Sequence, residues 1–374
     1  MRELFRSRLA LTVLSLAIVF FFNPSQSDAQ CTECVFPNAE WQLVPANELE
    51  QLGWSGEALT DVDSHLRDDT NATGVVVIDT GHLVFQYGEI KELSYVASVR
   101  KSILAMLYGR WVENETIDLD QTLWAMAFDD VGGLLPIERQ ATIRNLITAR
   151  SGVYHPASNS GDNLADAPER GSKQPGTYML YSNWDFNAAG AIFESLTGQN
   201  IYDELEAQLA LPLQFEDWDR SSQRKSGNLS VSRNPAYHMW ISTRDLARIG
   251  HLMLNEGNWA GDQIISEDWH QTITSVVTPL EEMNPERMRS WYFGYGYMWW
   301  LFDGPEATGP FEGAYMGAGA YGQWITVFPK IDLVISHKTN SESGNRTSWE
   351  SFQRTIELVF EAKGIQMGNP YPWQ

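Results

Sequence analysis

The sequence is poor in cysteine, in basic residues and in long apolar runs, and each shortage excludes a class of protein. Two cysteines among 374 residues cannot build a disulfide-rich scaffold. Lys and Arg number 26 against 48 Asp and Glu, so the formal net charge of −22 repels nucleic acid and anionic membrane surfaces. After the N-terminus no stretch is apolar for long enough to cross a bilayer. We therefore expect neither a nucleic-acid partner nor a permanent membrane span.

Two motifs that are common in hydrolases are also missing. There is no His-Glu-x-x-His, which would hold zinc, and no Gly-x-Ser-x-Gly, which would mark an α/β-hydrolase. We expect no metal and no organic cofactor. By contrast, 43% hydrophobic residues with 15 Trp are ample for a large buried core, so the chain is predicted to be folded and globular.

The first 29 residues are typical of an export signal. Arginines precede an apolar run from Leu9 to Phe22, and small residues follow, with cleavage expected near Ala29. The mature protein is then periplasmic or secreted. In such an oxidising compartment Cys31 and Cys34 are predicted to form a local disulfide, in a tail that the rest of the fold hardly needs.

The distribution of strands and helices predicts an α+β fold. Two apolar hairpins are expected, one within 74–87 and one within 323–337, and segments of helical spacing fill most of 98–283. Because strands and helices segregate along the chain, the hairpins are predicted to share one antiparallel sheet, with an amphipathic helix over 349–362 beside it. No internal repeat is present.

These elements suggest one catalytic domain, 54–362, between an N-terminal tail, 30–53, and a C-terminal tail, 363–374. A sheet lobe would comprise about 54–97 and 290–362, and a mostly helical lobe about 98–289. A crevice between two lobes is a common place for a site.

The first candidate for chemistry is the pair Ser98 and Lys101. Three residues apart at the start of a predicted helix, the two side chains share a face, and the helix N-terminus favours negative charge on the serine oxygen. Apolar neighbours would desolvate the lysine and lower its pKa, so that a neutral amine could accept a proton. Ser222 and Lys225 have the same spacing, but they lie in a polar stretch and are interpreted as a loop.

A Tyr-x-Asn triplet, Tyr181 and Asn183, precedes an amphipathic helix that ends at Gly198. The phenol could relay the proton that leaves Ser98, and the amide could hydrogen-bond in the same pocket. A third segment, 314–324, is rich in glycine and lies just before the second hairpin. There a backbone N–H could complete an oxyanion hole with the N–H of Ser98, although a bulge or tight turn would need the same glycines.

In this order and at these separations, the three segments resemble the serine β-lactamase and penicillin-binding peptidase superfamily. They are most similar to its class C-like branch, which also contains esterases, D-aminopeptidases and 6-aminohexanoate-dimer hydrolases. The likeness extends to Ala141–Pro156 and Tyr237–Arg248 and covers about 54–362. Within the branch, the segments that begin at Ser98, Arg150 and Tyr181 are most similar to the aminohexanoate-dimer hydrolases.

The resemblance implies a β-lactamase/transpeptidase-like fold with specific roles for the motif residues. Ser98 would be the acylated nucleophile, Lys101 its proton partner and Tyr181 a second acid/base, with Asn183 a hydrogen-bonder of the pocket. Which of Lys101 and Tyr181 starts the reaction stays open.

Alignment of the third segment puts the family's basic residue opposite Ala314 and the oxyanion N–H on Gly317. A slip of one or two residues would move that role to Gly319. No Lys-Thr-Gly or His-x-Gly is present, so the positive charge that holds a β-lactam or peptide carboxylate is missing. His155 and His238 are secondary candidates for substrate contact, although a structural role is favoured for each. Three tryptophans line an aromatic pocket or pack on a sheet face: Trp291, Trp299 and Trp300.

The sequence thus predicts a Ser-Lys-Tyr hydrolase, of EC type 3.1 or 3.5, that acts through an acyl-enzyme on a small ester or linear amide. The alternatives are a β-lactamase or D-alanyl-D-alanine carboxypeptidase, and a non-catalytic binding or sensor protein of the same fold. The oligomeric state is not predicted.

Overall fold

The computed structural model describes residues 34–305 and 307–367. The expected export signal, 1–29, and Cys31 lie outside the described residues. Within the described part, no helix combines the length and the apolar character that a membrane span needs.

A seven-stranded antiparallel sheet forms the centre of the molecule, in the order β2-β1-β13-β12-β11-β10-β9. The strands of the described residues are β1 (Gly74–Asp79), β2 (His82–Gly88), β3 (Ser94–Tyr95), β4 (Arg224–Ser226), β5 (Ala236–His238), β6 (Trp240–Ile241), β7 (Asn258–Trp259), β8 (Asp262–Gln263), β9 (Phe293–Tyr295), β10 (Trp300–Phe302), β11 (Tyr315–Gly319), β12 (Gln323–Phe328) and β13 (Leu333–Lys338). The α-helices are α1 (Gly56–Asp68), α2 (Val99–Glu113), α3 (Ile143–Ile147), α4 (Asn183–Thr197), α5 (Ile201–Leu205), α6 (Thr243–Leu254), α7 (Glu267–Ile273) and α8 (Trp349–Ala362).

The two predicted hairpins pair with each other. Strand β1 runs antiparallel to β13, with Gly74 opposite Lys338 and Asp79 opposite Leu333. Every residue of β1, β12 and β13 is buried, although the second half of β13 is polar: Ser336 donates to the carbonyl of Thr243 and Lys338 to that of Ser94. The predicted α+β class, with a sheet built from both ends of the chain, is confirmed.

Helices cover the central strands on both faces. On β12, Trp324 stacks on Phe352 of α8, with ring centroids 4.4 Å apart, and α8 packs against α1. The next residue, Ile325, points to the opposite face because side chains alternate along a strand, and there it meets Gly250 of α6. The sheet is therefore the middle of three layers.

Helix α2 connects this sheet to the mid-chain helices. It is buried from Val99 to Gly109 and contacts β11 on one side and α4, α5 and α7 on others. A helix that is apolar around most of its circumference is stable only inside a protein. Its N-terminus, with Ser98, consequently lies where the sheet and the helical part meet.

The structure differs from the expected lobes in two ways. Helix α6 lies inside 98–289 but packs on β1, β12 and β13, and the short strands β4 to β8 also interrupt the helical part. Strands of two or three residues are too short to give an alternating pattern.

Residues 34–53 are also more than a tail. Trp41 is buried and its Nε1 donates to the carbonyl of Gly81 at 2.9 Å, while the backbone of Val44 donates to that of Leu83. Trp41 thus packs the segment against the first hairpin, although Leu43 beside it stays exposed.

Close packing of α6 on the sheet predicts a sensitive position. A Cβ at Gly250 would lie 2.4 Å from Cγ1 of Val334 and 3.0 Å from Cγ2 of Ile325. We expect Gly250→Val to lower the free energy of unfolding by about 1–3 kcal/mol through overpacking, measured by urea denaturation. Gly56→Val, at a helical site with no atom within 4 Å of the new Cβ, is the control and should change it by less than about 0.5 kcal/mol. Equal stability of the two variants would contradict this packing.

Candidate active site

Ser98 is the N-cap residue of α2, but its side chain makes no capping hydrogen bond. The preceding residue, Ala97, adopts a left-handed conformation with φ of 48°. A non-glycine residue in that region carries strain, and such strain concentrates at functional sites. The turn leaves the hydroxyl of Ser98 partly exposed at a cavity instead of committed to the helix end.

The amine of Lys101 lies one turn further along α2, deep in the protein. The residue is only 1% exposed. Its Nζ lies 2.6 Å from the hydroxyl of Tyr181 and donates to Oδ1 of Asn183 at 2.7 Å. It also lies 4.1 Å and 4.3 Å from the ring centroids of Tyr181 and Phe186. The structure thus brings together the motif residues that the sequence had placed about 80 positions apart.

The surroundings of Lys101 favour the uncharged amine. Burial holds the pKa of Lys101 well below its usual value of 10.5, the neighbouring guanidinium of Arg100 lowers it further, and Asp162 opposes the shift. Arg100 is itself 1% exposed, and its one hydrogen bond from Nη2 goes to Asn187. A positive charge on the Lys101 amine is therefore disfavoured both by burial and by repulsion from Arg100.

Tyr181 shows the opposite shift. Burial raises the pKa of its phenol to about 12, although a hydrogen bond with Ser98 and the charge of Arg100 act to lower it. At neutral pH the phenol is protonated. Its oxygen lies 2.6 Å from Nζ of Lys101, where it can donate to the amine in its uncharged form while it accepts from Ser98. Tyr181 therefore connects Ser98 to Lys101.

The position of Asn183 is fixed by three hydrogen bonds. Its Oδ1 accepts from Lys101, its Nδ2 donates to the carbonyl of Ser160 at 2.8 Å, and its backbone N–H donates to Oδ2 of Asp162 at 2.9 Å. As the first residue of α4, it is held by the helix start, which Ser182 caps. The amide orients the amine and adds no charge to it.

A cavity of about 280 Å³ opens above Ser98 and Tyr181. Trp291 and Trp300 form one wall, and Asp162 lies on another. Among the described residues that line it there is no Lys, Arg or His, so Asp162 supplies the only ionisable carboxyl and nothing supplies a cation.

The glycine-rich segment reaches the cavity two residues later than the first alignment suggests. Ala318, Gly319 and Ala320 line it, and a Cβ on Gly319 would lie 2.9 Å from the backbone nitrogen of Ser98. Gly317 does not line it: it is buried against Ser102, whose Oγ would lie 3.1 Å from an added Cβ. The expectation for Gly317 is therefore corrected, and Gly319 lies at the position given by the slip.

His155 lies away from the cavity. Its two ring nitrogens contact the carbonyls of Pro156 and Val131 at 2.8 and 2.7 Å, and the ring packs on Trp184. Both nitrogens face backbone carbonyls and the residue does not line the cavity, so the structure does not bring His155 to the substrate site and gives it the structural role that the sequence favoured.

His238 also lies outside the lining of the cavity. Its Nδ1 is 2.9 Å from the hydroxyl of Tyr95, and its ring packs edge-on against Trp240. Burial lowers the pKa of His238 to about 4, and the charges of Arg100 and Arg224 act in the same direction. It is a neutral packed histidine and not a contact residue of this cavity.

The second Ser-x-x-Lys triplet has no such surroundings. Ser222 ends a short 3₁₀ turn, with its hydroxyl donating to Asp219, and Lys225 lies in strand β4, where it pairs with Glu194. The two residues do not share a helix, as the polar stretch around them predicted.

Two neighbours of the site were not identified from the sequence. Asp162 belongs to a loop, 158–166, that shows no regular pattern, and Arg100 lies inside the first motif between Ser98 and Lys101. An arginine in an otherwise apolar helix was the one signal that could have identified it.

Comparison with known proteins agrees with this geometry. The family model described as Beta-lactamase matches residues 62–351. A curated 6-aminohexanoate-dimer hydrolase of Paenarthrobacter ureafaciens is 29% identical over 119 residues, which covers 31% of this chain and 29% of that protein.

Solved structures share the fold at low sequence identity. A Bacillus anthracis protein described as a 6-aminohexanoate-dimer hydrolase has a TM-score of 0.62 at 18% identity, over 90% of each chain. A class C beta-lactamase carrying a tyrosine-to-phenylalanine mutation has a TM-score of 0.60 at 15% identity, over 86% of this chain and 99% of that one. At these identities the structures show a shared fold, and the family model over residues 62–351 shows that the chain belongs to the beta-lactamase family, a family of serine hydrolases.

Proposed function

We propose that the protein hydrolyses a small neutral ester or linear amide through a covalent acyl-enzyme on Ser98. The observation that carries this proposal is the series Ser98, Tyr181 and Lys101. The first two residues line one cavity, and the hydroxyl of Tyr181 lies 2.6 Å from Nζ of Lys101, a buried amine whose environment disfavours the charged form. No metal or organic cofactor enters the reaction.

The series defines a path for the proton of the nucleophile. As Oγ of Ser98 bonds to the carbonyl carbon, its proton passes to the phenol oxygen of Tyr181, and the phenol proton passes to Nζ of Lys101. Lys101 is then the net base and Tyr181 the relay, because a phenol with a pKa of about 12 is a poor phenolate source at neutral pH. This assigns the role that the sequence left open between the two residues.

The carbonyl oxygen becomes an oxyanion as the new bond forms. Its negative charge would be held by the N–H of Ser98, at the positive end of α2, and by a backbone N–H of the segment 318–320. Collapse of the intermediate breaks the bond to the leaving group, which takes the proton back from Lys101 through Tyr181. Water then repeats the same steps on the acyl-enzyme and releases the acid.

The charge of the cavity supports a neutral substrate. The carboxyl of Asp162 lies on its wall and no cation lines it among the described residues, so a substrate carboxylate would be repelled. This disfavours the β-lactamase and the D-alanyl-D-alanine carboxypeptidase, whose substrates carry a carboxylate. The chain is similar to a curated hydrolase of 6-aminohexanoate dimers, which supports an amide as the bond that is cleaved; it does not support a neutral substrate, because a linear dimer of that kind carries a carboxylate.

A non-catalytic sensor of the same fold is the rival function. Burying a lysine without a carboxylate partner costs free energy, and a binding protein has no need for that cost. The partners of Nζ are a phenol and an amide, which suit a proton acceptor better than a structural cation.

Replacement of the nucleophile is the first test. We expect Ser98→Ala to lower kcat/KM for p-nitrophenyl acetate by at least about a thousandfold, because no acyl-enzyme can form. A fluorophosphonate should add one equivalent of mass to the wild-type protein, and peptide mapping should find the adduct on Ser98.

Ser222→Ala is the matched control, since it removes the serine of the other Ser-x-x-Lys triplet. Its turnover and its labelling should equal those of the wild type. Undiminished turnover in Ser98→Ala, or an adduct on another serine, would remove the proposed mechanism, and labelling without any turnover would favour the sensor.

The state of Lys101 makes a prediction about pH. Activity requires the neutral amine, so kcat/KM should fall as pH drops through the depressed pKa of Lys101, well below 10.5. In Asn183→Asp a carboxylate replaces the amide oxygen that lies 2.7 Å from Nζ. An anion favours the ammonium form, so the acidic limb of the profile should move up by about one pH unit or more.

The control for this profile is Asn200→Asp, the same change at the N-cap of α5. Its acidic limb should coincide with that of the wild type. An acidic limb that does not move in Asn183→Asp would show that a group other than Lys101 limits the reaction.

A further inference from the structure

A second cavity, of about 480 Å³, adjoins the one above Ser98. The two cavities share three lining residues, Trp291, Trp300 and Ala318, so the second space begins beside the one at Ser98. Cavities of this size are typical of ligand sites that enclose a small molecule.

The walls of the second cavity are mainly aromatic. The ring of Trp300 lies 6.4 Å from that of Phe293, which lies 5.2 Å from that of Trp349, and Trp349 lies 6.0 Å from Trp324. These rings come from β9, β10, β12 and the start of α8, elements held by the sheet. The walls are thus preformed and suit flat or extended apolar groups.

The described lining of the second cavity has one acidic residue and no basic residue. Among the described residues that line it, Glu350 is the only charged one, and its side chain is exposed at the edge. A group with a carboxylate or phosphate would find no partner there. The chemistry favours an uncharged apolar group.

The exposure of Trp291 indicates that the aromatic cluster is a ligand pocket and not only core packing. Trp291 lines both cavities, and 48% of the residue is exposed. Its ring centroid lies 6.4 Å from that of Trp300. Trp299, by comparison, is fully buried against Tyr315 and serves packing alone. An exposed tryptophan at a cavity mouth gains from a ligand that covers it.

We propose that this aromatic pocket binds the uncharged apolar part of the substrate, an aryl group or an alkyl chain of about four to eight carbons, with Trp291 as its principal contact. This inference rests on the proposed function, because it takes Ser98 as the point to which the reacting carbonyl is bound. It names the class of substrate, an apolar ester or amide, that the catalytic residues alone do not select.

The test is a chain-length series on purified wild-type and variant proteins. We expect wild-type kcat/KM to rise by about twofold to fourfold per methylene from acetate to octanoate, since each buried methylene contributes about 0.8 kcal/mol. One series varies the acyl chain of p-nitrophenyl esters, and the other varies the alcohol of acetate esters. The series that rises identifies which side of the substrate enters the pocket.

In Trp291→Ala the ratio of kcat/KM for octanoate to kcat/KM for acetate, both measured on the variant, should fall at least fivefold in the series that rises. Trp291→Phe should restore part of the gain, because a phenyl ring keeps a flat apolar wall. Trp124→Ala is the control: Trp124 is 63% exposed, lines neither cavity and should leave both series unchanged.

The outcomes separate this inference from the proposed function. If Ser98→Ala abolishes acetate hydrolysis but neither series rises with chain length, the aromatic pocket is not a substrate site and the inference is overturned. It is equally overturned if Trp291→Ala and Trp124→Ala have the same slope as the wild type. If the wild-type protein turns over neither these esters nor the matching p-nitroanilides, the proposed function fails, and this inference, which rests on it, is overturned with it.

Discussion

The arrangement on which the rest of the site depends is the burial of the Lys101 amine among uncharged partners. A phenol and an amide contact Nζ, aromatic rings lie beside it, and a second buried cation, Arg100, adjoins it in sequence. Burial and the charge of Arg100 disfavour the ammonium form, and the phenol, the amide and the rings bring no negative charge that would offset them. A free lysine could not keep this state in water, so the chemistry proposed for Ser98 depends on the tertiary structure that excludes solvent from α2.

That exclusion follows from how the chain is assembled. Helix α2 is buried because the sheet covers it on the side of β11 and because α4, α5 and α7 cover it elsewhere. The same contacts bring Tyr181 and Asn183, at the start of α4, to the amine, and bring the end of β11 to the backbone of Ser98. One packing arrangement therefore provides the low-polarity surroundings of the base, the proton relay and the edge at which an oxyanion would lie.

The sequence predicted the parts of this arrangement that depend on local pattern. Ser98, Lys101, Tyr181 and Asn183 were identified by spacing and by resemblance, and the paired hairpins by their apolar runs. The register of the glycine segment was not, because alternating glycine and alanine offer no side chain to anchor an alignment. His155 and His238 were secondary candidates for substrate contact, and the structure gives each the structural role that was favoured. Their partners are backbone carbonyls and a distant tyrosine, which no spacing reveals. The aromatic pocket needed the three-dimensional meeting of four elements.

The protonation state of Lys101 in the resting protein tests this account most directly. The chain has seven lysines, so ¹³C labelling of the lysine Cε atoms gives few signals, and a Lys101→Arg variant assigns the one of interest. We predict that this signal titrates well below pH 10.5, and that it moves back toward the ordinary value when urea unfolds the protein. A titration midpoint near 10.5 in the folded protein would contradict the account, because Lys101 would then be an ammonium ion and could not accept the proton of Ser98.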